Sequence, residues 1–357
     1  MAENSYRIPL VFIKRIEMIY TIHPTLSIDV STKNRRYLEY FKNEYERVSN
    51  FTPSKKDHTT IKVFIVAALP HEKPGDISRT LTFKKLFHYE YLVRNLDTDT
   101  VEIYFKDVAI AKAYRNVVTL FLQAQIVEPV VYYKLLEKNI LFMHSAGVTD
   151  GKDGYIFPAY GGTGKTTLTL GLMGEGLQVL GDDLLIVEPD KKLVHPYLRP
   201  LHIFTYNVRT LRDAKLPLST KTIVKAKDIL RVILETTTRQ EFLISTRIHA
   251  DTIYTDFKSG KTIPYRKISF LKKTGDHEKI AITKANIREL AERILESEDL
   301  NESLYDNILP KSEKPKVVEL ELTVIENVLR NVKYLEFINT RLLDFRDLAS
   351  FKQKLLS

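Results

Sequence analysis

The chain has 357 residues, 44% of them hydrophobic, and its 54 basic and 45 acidic side chains give a net charge of +9. This apolar share is ample for a packed core, and the length predicts two domains rather than one. The absence of cysteine excludes disulfides, thiolate metal sites and cysteine nucleophiles. Because the two signs of charge are interleaved, a nucleic-acid-binding tract is not expected, and an anionic substrate or an acidic protein partner suits the basic balance.

No segment of the sequence indicates export or membrane insertion. The first twenty residues lack the basic-then-apolar layout of a signal peptide. No apolar run approaches the ~18 residues of a membrane-spanning helix. We therefore expect a cytoplasmic protein that is not bound to a membrane. Assembly into a homo-oligomer is compatible with the sequence.

Residues 1–110 are predicted to form a smaller N-terminal α+β domain. Runs of apolar and β-branched residues are typical of strands, and they occur at 10–13, 61–69, 86–93 and 101–105. Residues 33–48 carry apolar side chains at helical spacing, and their aromatic stripe is expected to face the core. The polar stretch 50–58 is predicted to be a loop.

Residues 111–357 are predicted to form the larger domain, an α/β unit built on a mixed sheet. Helical spacing covers 111–136, where Pro129 kinks or divides the helix. The stretch 296–315 is predicted to be a surface connection. The basic segment 205–240 is either a mobile region that meets an acceptor or a solvated face. Strands are predicted at 140–143, 155–157, 177–180, 184–187, 193–195, 241–248, 267–271, 317–322 and 334–338, and helices after Lys165, over 283–295 and at the C-terminal end.

The strongest motif lies between residues 154 and 188, where a strand leads through a glycine-rich turn into a helix. The sequence GYIFPAYGGTGKTT matches a phosphate-binding loop, except that Ala159 takes the place of the first glycine. Glycines let backbone N–H groups point at a polyphosphate, and the helix N-terminus adds a positive dipole end. A glycine turn without a ligand is the alternative. The residues predicted to bind a nucleotide are Gly161, Gly162, Thr163, Gly164, Lys165, Thr166 and Thr167.

Two adjacent carboxylates follow the next apolar run, at Asp182 and Asp183. Lys165 is expected to reach the terminal phosphates and the Thr166 hydroxyl to bind Mg²⁺. In an enzyme that uses a magnesium nucleotide, one carboxylate can hold the metal while the other takes a proton from the attacking hydroxyl. We predict Thr166 and Asp182 as metal ligands and Asp183 as the base. A solvated turn is the alternative for the acidic pair.

These residues carry a resemblance to a known family. The run from His144 through Asp183 resembles the core of the HPr kinase/phosphorylase family, a relative of the ATP-dependent phosphoenolpyruvate carboxykinases. In that resemblance Lys165 falls on the phosphate lysine, Thr166 on the metal-binding hydroxyl, and Asp182 with Asp183 on the acidic pair. It implies a mixed-sheet P-loop kinase domain. The second signature of the family, a basic segment near the C-terminus, has no clear counterpart, so phosphorylase activity and HPr as the substrate are not expected.

Two more residues are candidates for the same site. His144 falls on the histidine that precedes the loop strand, and the resemblance implies that it holds or tunes the acidic pair or contacts phosphate. The alternative is a structural histidine. Arg199 lies on a proline-flanked loop, where an arginine could neutralise a transferred phosphoryl group. The alternative is a surface arginine.

Together these features predict an ATP- and Mg²⁺-dependent kinase that transfers a phosphoryl group to a serine-like hydroxyl, on a protein or on a small molecule. A nucleotide-gated binding module or regulatory ATPase stays open. A carboxykinase-like enzyme is a third interpretation, with less support. ADP or pyrophosphate as the phosphoryl donor is also compatible with the loop.

Overall fold

The computed structural model describes eight stretches of the chain, namely 15–48, 51–83, 87–107, 111–203, 218–239, 246–298, 300–345 and 347–357. The strand predicted at 10–13 lies outside them. So do residues 204–217 of the basic segment and most of the strand predicted at 241–248. Among the described residues, no helix combines the length and the apolar character needed to cross a lipid bilayer.

The described part of residues 16–106 forms a six-stranded mixed sheet with one helix. It consists of β1 (Ile16–His23), β2 (Leu26–Thr32), α1 (Arg35–Tyr45), β3 (Thr59–Val66), β4 (Ile77–Phe83), β5 (Phe87–Arg94) and β6 (Thr100–Lys106). The strand order is β1-β2-β3-β6-β5-β4, and β3 pairs in parallel with both of its neighbours. The sequence predicts β3, β5, β6 and α1 to within a few residues and misses β1, β2 and β4.

The aromatic stripe of α1 faces the core, as predicted. Tyr37, Phe41 and Tyr45 recur at helical spacing and are fully buried. Asn34 caps the helix, since its side chain accepts a hydrogen bond from the Arg36 N–H.

The next helical stretch is divided before its proline. Helices α2 (Ala111–Leu122) and α3 (Glu128–Leu136) are joined by a π-helical turn, Gln123–Val127. Pro129 has no N–H to offer the Gln125 carbonyl four residues earlier. The side-chain amide of Asn307 donates to that carbonyl instead, at 3.1 Å. The predicted division of the helix is confirmed.

A nine-stranded mixed sheet dominates the described residues from 141 onwards. Strands β9 (Gly154–Pro158), β15 (Ile263–Lys272) and β17 (Tyr334–Asn339) are parallel neighbours. Strand β10 (Gln178–Gly181) runs the same way as β9 because both are antiparallel to β8 (Ser145–Thr149). The C-terminal ends of these four strands lie at one edge, where α/β folds bind ligands. The strands are β7 (Leu141–Met143), β8 (Ser145–Thr149), β9 (Gly154–Pro158), β10 (Gln178–Gly181), β11 (Leu185–Glu188), β12 (Leu193–His195), β13 (Leu201–Ile203) with its separate partner β14 (Thr246–Ile248), β15 (Ile263–Lys272), β16 (Glu278–Ala281) and β17 (Tyr334–Asn339).

The strand predicted at 317–322 is wrong, because these residues belong to helix α9 (Lys314–Arg330). In a short window rich in valine and leucine, the composition does not distinguish a helix from a strand. Over a longer stretch, the buried positions show a helical period. The buried positions of α9 include Val317, Glu321, Val324, Ile325 and Val328. The helices of this half are α4 (Lys165–Gly174), α5 (Leu218–Thr238), α6 (Ala250–Ile253), α7 (Ile287–Leu295), α8 (Leu300–Asn307), α9 (Lys314–Arg330) and α10 (Leu348–Leu356).

Helix α8 also lies inside the stretch 296–315, which was predicted as a surface connection. Its side chains Leu304 and Tyr305 are buried. The predicted surface connection is therefore wrong for residues 300–307, because an eight-residue amphipathic helix is too short to stand out among acidic and polar neighbours.

A single apolar core extends beneath both sheets. Its buried side chains include Ile61 and Ile103 of the first sheet together with Ile156 and Leu185 of the second. The predicted domain boundary adjoins residues 108–110, which lie outside the described stretches, and the core continues on both sides of it. A second cluster packs α4 against α10 so closely that a Cβ at Gly171 would come within 2.3 Å of a leucine side chain of α10.

Candidate functional site

The glycine-rich turn after β9 stands at the edge where the four strands end, and it leads directly into α4. Gly162 and Gly164 have φ of +71° and +101°, values that glycine adopts without strain. A Cβ added at Gly161 would meet no atom of the described residues within 4 Å. No side chain caps the N-terminus of α4 in the described part of the chain. The turn therefore leaves its backbone open to an anionic ligand.

Thr163 fixes the turn from inside. Its Oγ1 donates to the Tyr160 carbonyl at 2.9 Å, and its own carbonyl accepts from Thr340 Oγ1 at 2.7 Å. Thr340 directly follows β17, so a neighbouring strand end holds the turn in place. Thr167 lies half-buried on the first turn of α4.

Lys165 and His144 come together beneath the turn. Lys165 Nζ lies 3.0 Å from His144 Nε2 and donates to the Ala159 carbonyl at 2.7 Å. A buried ammonium requires such acceptors. A phosphate oxygen could accept the hydrogen that the Ala159 carbonyl accepts from Lys165 here. The ammonium lies beside the open backbone of the turn.

The two carboxylates that follow β10 have different surroundings. Asp182 Oδ2 accepts from Thr166 Oγ1 at 2.9 Å, whereas Asp182 Oδ1 is buried and has no hydrogen-bond partner among the described residues. Asp183 Oδ1 lies 3.3 Å from His144 Nε2, and the Asp183 side chain is 45% exposed. One carboxylate is thus withdrawn beside a threonine, while its neighbour faces solvent.

The buried carboxylate has an unusual pKa. Burial raises the pKa of Asp182 to about 7, although the hydrogen bond from Thr166 acts in the opposite direction. The charge of Asp183 raises it further, and the cations nearby lower it. A divalent cation at Oδ1 would favour the ionised carboxylate. The unpartnered oxygen and the neighbouring hydroxyl fit a hard cation such as Mg²⁺.

His144 can change its partner with its protonation state. Its Nδ1 lies 3.2 Å from the Ser297 carbonyl, which can only accept, so Nδ1 carries a hydrogen. Nε2 then accepts from Lys165 in the neutral ring and donates to Asp183 in the cation. Burial lowers the pKa of His144, but the hydrogen bond to Asp183 and nearby negative charge raise it above its ordinary value overall. The ring is therefore placed to orient Asp183.

No protein-family model matches this chain, and no curated protein matches it either. The resemblance to the HPr kinase/phosphorylase family rests on the residues from His144 through Asp183 and stays a prediction. The chemistry of the site therefore has to be argued from its geometry.

Arg199 lies in a buried ion network rather than on the surface. Its Nη1 is 2.7 Å from Glu128 Oε1, and its Nε is 3.4 Å from Glu44 Oε2. Arg247 brings a second guanidinium to within 2.7 Å of Glu44. The surface alternative is wrong, because only 7% of the Arg199 side chain is exposed. Its role toward a phosphoryl group stays a prediction, and two carboxylates already balance its charge.

A small cavity adjoins the acidic pair on the side of Asp182. Arg199, Arg47 and His249 line it together with Asp182. Its volume of about 20 Å³ is enough for one water molecule. The exposed carboxylate of Asp183 leaves room for an acceptor to approach from the solvent side.

Lys273 is a site residue that the sequence reasoning missed. Its Nζ lies 3.8 Å from the position that a Cβ at Gly162 would take, and the side chain is exposed. Lys273 follows β15, whose C-terminal end lies beside that of β9 because the two strands are parallel. In the sequence, the only sign of this residue is a pair of lysines at the end of a predicted strand. The strand order then shows that Lys273 reaches the glycine-rich turn.

Proposed function

We propose that this protein is an ATP- and Mg²⁺-dependent kinase that transfers a phosphoryl group to a serine-like hydroxyl. The observation that carries the proposal is the 2.9 Å contact of Thr166 Oγ1 with Asp182, beside the half-exposed carboxylate of Asp183. Phosphate-loop enzymes hold magnesium with such a hydroxyl and a nearby aspartate. A mixed α/β architecture supports a P-loop kinase fold of the HPr kinase/phosphoenolpyruvate carboxykinase type, and we place the protein in the cytoplasm.

The residues around the turn would hold the nucleotide and its metal. ATP would supply the phosphoryl group, and Mg²⁺ would neutralise part of its charge. The amides of the turn and the first turn of α4 bind phosphate oxygens. Lys165 and Lys273 would add positive charge beside the turn. Thr166 Oγ1 and Asp182 are the metal ligands.

Asp183 is the proposed base for the acceptor hydroxyl. His144 positions it through the 3.3 Å contact, and its exposure makes it accessible to a hydroxyl that arrives from solvent. A base of this kind contributes ~10²- to 10⁴-fold to the rate. The acceptor is either a serine of a protein or a small hydroxyl compound.

Phosphoryl transfer by the purified protein tests this proposal. ATP labelled in its γ-phosphate is incubated with Mg²⁺ and a panel of free serine, sugars and polyols, and separately with a protein fraction. We expect label on one class of acceptor. Asp183→Asn should lower turnover by ~10²- to 10⁴-fold while Mg–ATP binding stays measurable. Asp306→Asn, which changes an exposed aspartate of α8, is the matched control.

Three results would contradict the proposal. Absence of Mg–ATP binding would remove its basis. Hydrolysis of ATP without labelled acceptor would favour the regulatory ATPase module, and ATP-dependent decarboxylation of a dicarboxylate would favour the carboxykinase-like enzyme. Equal loss of binding and turnover in Asp183→Asn would exclude the role as base.

A further inference from the structure

A second cluster of ionisable side chains lies where the two sheets meet. His23 ends β1, Glu188 ends β11 and His195 ends β12. One ligand atom from each of the three lies within 4.8 Å of the other two. Glu188 ends β11 and Asp183 lies two residues before that strand begins, roughly 16 Å away in extended backbone, so this cluster is separate from the glycine-rich turn.

The spacing of the cluster is close to that of a metal site. His195 Nε2 lies 3.3 Å from Glu188 Oε2, and His23 Nε2 lies 3.9 Å from the same oxygen. A tetrahedral zinc ion with nitrogen and oxygen ligands at ~2.1 Å places its ligand atoms about 3.4 Å apart. The first pair has that separation, and the second needs an approach of only about half an ångström.

His23 provides an independent observation. Its Nδ1 accepts from the Thr25 N–H at 3.2 Å, which places the ring hydrogen on Nε2. Nε2 is buried and has no hydrogen-bond partner among the described residues, since Glu188 is too distant. A metal at Nε2 would move the hydrogen to Nδ1, which would exchange the bond that it accepts from the Thr25 N–H for one donated to Thr25 Oγ1, 2.8 Å away. Metal binding would thus satisfy a buried nitrogen that is otherwise unpaired.

The other two side chains are oriented in the same way. His195 Nδ1 lies 3.0 Å from Thr262 Oγ1, so Nε2 is directed at Glu188. Lys191 Nζ pairs with Glu188 Oε1 at 2.8 Å and leaves Oε2 turned toward the histidines. In metal sites, a hydrogen bond to the ring nitrogen that does not bind the metal fixes the orientation of the histidine.

The surroundings keep solvent away from the cluster and keep His23 uncharged. The Phe51 ring centroid lies 6.1 Å from that of His23 and 5.6 Å from that of His195. Burial, followed by the charge of His195, lowers the pKa of His23 to about 3. A neutral imidazole is the form that binds a metal.

We propose that His23, Glu188 and His195 bind one divalent transition-metal ion, with Zn²⁺ as the expected occupant. Two imidazoles and one carboxylate suit zinc, whereas Mg²⁺ and Ca²⁺ prefer oxygen ligands. Water would complete the coordination. Because the ligands come from β1 on one sheet and from β11 and β12 on the other, the ion stabilises the packing of the two sheets. This role does not depend on the proposed kinase activity.

Metal titration of the full chain tests the proposal. The protein is stripped with a chelator and titrated by calorimetry with Zn²⁺, and separately with Co²⁺, whose visible absorption reports tetrahedral coordination. We expect one Zn²⁺ per chain, a tetrahedral Co²⁺ spectrum and a higher melting temperature with metal. Glu188→Gln should weaken Zn²⁺ binding at least about 100-fold, and the milder Thr262→Val about 10- to 100-fold.

His88→Gln is the matched control, because His88 is exposed and lies outside the cluster. Its Zn²⁺ affinity should equal that of the wild type. Absence of Zn²⁺ binding by the wild type, an octahedral Co²⁺ spectrum, or unchanged affinity in Glu188→Gln would overturn the proposal. Loss of the ion in His144→Gln but not in Glu188→Gln would place it at the glycine-rich turn instead. The wild-type Co²⁺ spectrum tests for tetrahedral coordination even if a variant fails to fold, and the milder Thr262→Val then locates the ion.

Discussion

Asp182 makes the stability of the protein depend on pH. Burial raises the pKa of this carboxyl from 3.8 to about 7. Between about pH 4 and pH 7 the folded protein therefore holds a proton that the unfolded chain has lost. The contribution of Asp182 to stability is greatest below this window and falls as the pH rises through it, because ionisation of the buried carboxyl is disfavoured in the folded state.

We expect Asp182→Asn to be more stable than the wild type at pH 8 without divalent cations. Asparagine still accepts from Thr166 but brings no charge into the site. The rise from 3.8 to about 7 sets an upper limit of ~4 kcal/mol. Urea unfolding at pH 5 and pH 8 measures the difference between the two proteins. Burial also raises the pKa of Glu321 to about 8. This carboxyl changes the stability of both proteins equally and does not affect their difference. A variant that is less stable at pH 8 would refute this account.

The same proton should compete with magnesium. Because protonated Asp182 is a poor metal ligand, Mg²⁺-dependent nucleotide binding is expected to weaken about tenfold for each pH unit below 7. Calorimetry at several pH values in buffers of different ionisation enthalpy measures both the affinity and the released proton. Asp182→Asn should bind more weakly and lack this pH dependence. A flat profile in the wild type would show that Asp182 is not the ligand.

Helix α4 depends on the backbone conformation of the residue that precedes it. Gly164 has φ of +101°, so Gly164→Ala forces an alanine into the left-handed region at a cost of ~1–2 kcal/mol. Displacement of the turn should also weaken nucleotide binding. Gly174→Ala changes the last residue of α4, where a Cβ meets no atom of the described residues within 4 Å, and should be neutral or slightly stabilising. Unfolding and nucleotide binding compare the two, and equal effects would contradict the argument.

The sequence predicts those elements whose residue pattern is contained in a short window of the chain. The glycine-rich turn, helix α4 and strand β3 can each be identified from the residues of one such window. Helix α9 was mistaken for a strand over 317–322, because a six-residue window cannot distinguish a buried helix from a strand. Strand β4, with alternating polar residues in ISRTLTF, gave too weak an apolar pattern to be predicted.

Within the site, the sequence predicts contacts between residues that are close along the chain and misses contacts between distant ones. Thr166 and Asp182 are sixteen positions apart, and the order strand, helix, strand places them together. Thr340 lies 177 positions from Thr163, and Lys273 also reaches the turn only because β9, β15 and β17 are neighbours. Strand order is set by packing of the whole core, which no local pattern contains.

At the scale of the whole molecule, the buried ion network joins elements from both parts of the chain. Glu44 lies on α1, Glu128 on α3 and Arg199 after β12. Arg199→Met would leave two buried carboxylates short of a counter-charge, and we expect a loss of ~3–5 kcal/mol in unfolding free energy. Arg199→Lys should lose less because it keeps the charge. Denaturant unfolding measures both variants.

The control for this prediction is Arg288→Met. Arg288 pairs with Glu292, Glu319 and Glu326 near the surface, where a single salt bridge contributes at most ~1 kcal/mol. A similar small loss in Arg199→Met would show that the buried network does not hold the fold. Loss of phosphoryl transfer in a stably folded Arg199→Met protein would instead support the predicted role of Arg199 in the reaction.

The apolar core continues from the first sheet to the second, and Ile61 of β3 and Ile156 of β9 belong to the same buried cluster. Separating either sheet would expose the apolar face of the other to water, so both are expected to open together in one rare event. The slowest amide hydrogens of β3 and β9 should therefore exchange with the same free energy. A nucleotide bound at the glycine-rich turn should then slow hydrogen exchange in β3, although β3 belongs to the other sheet.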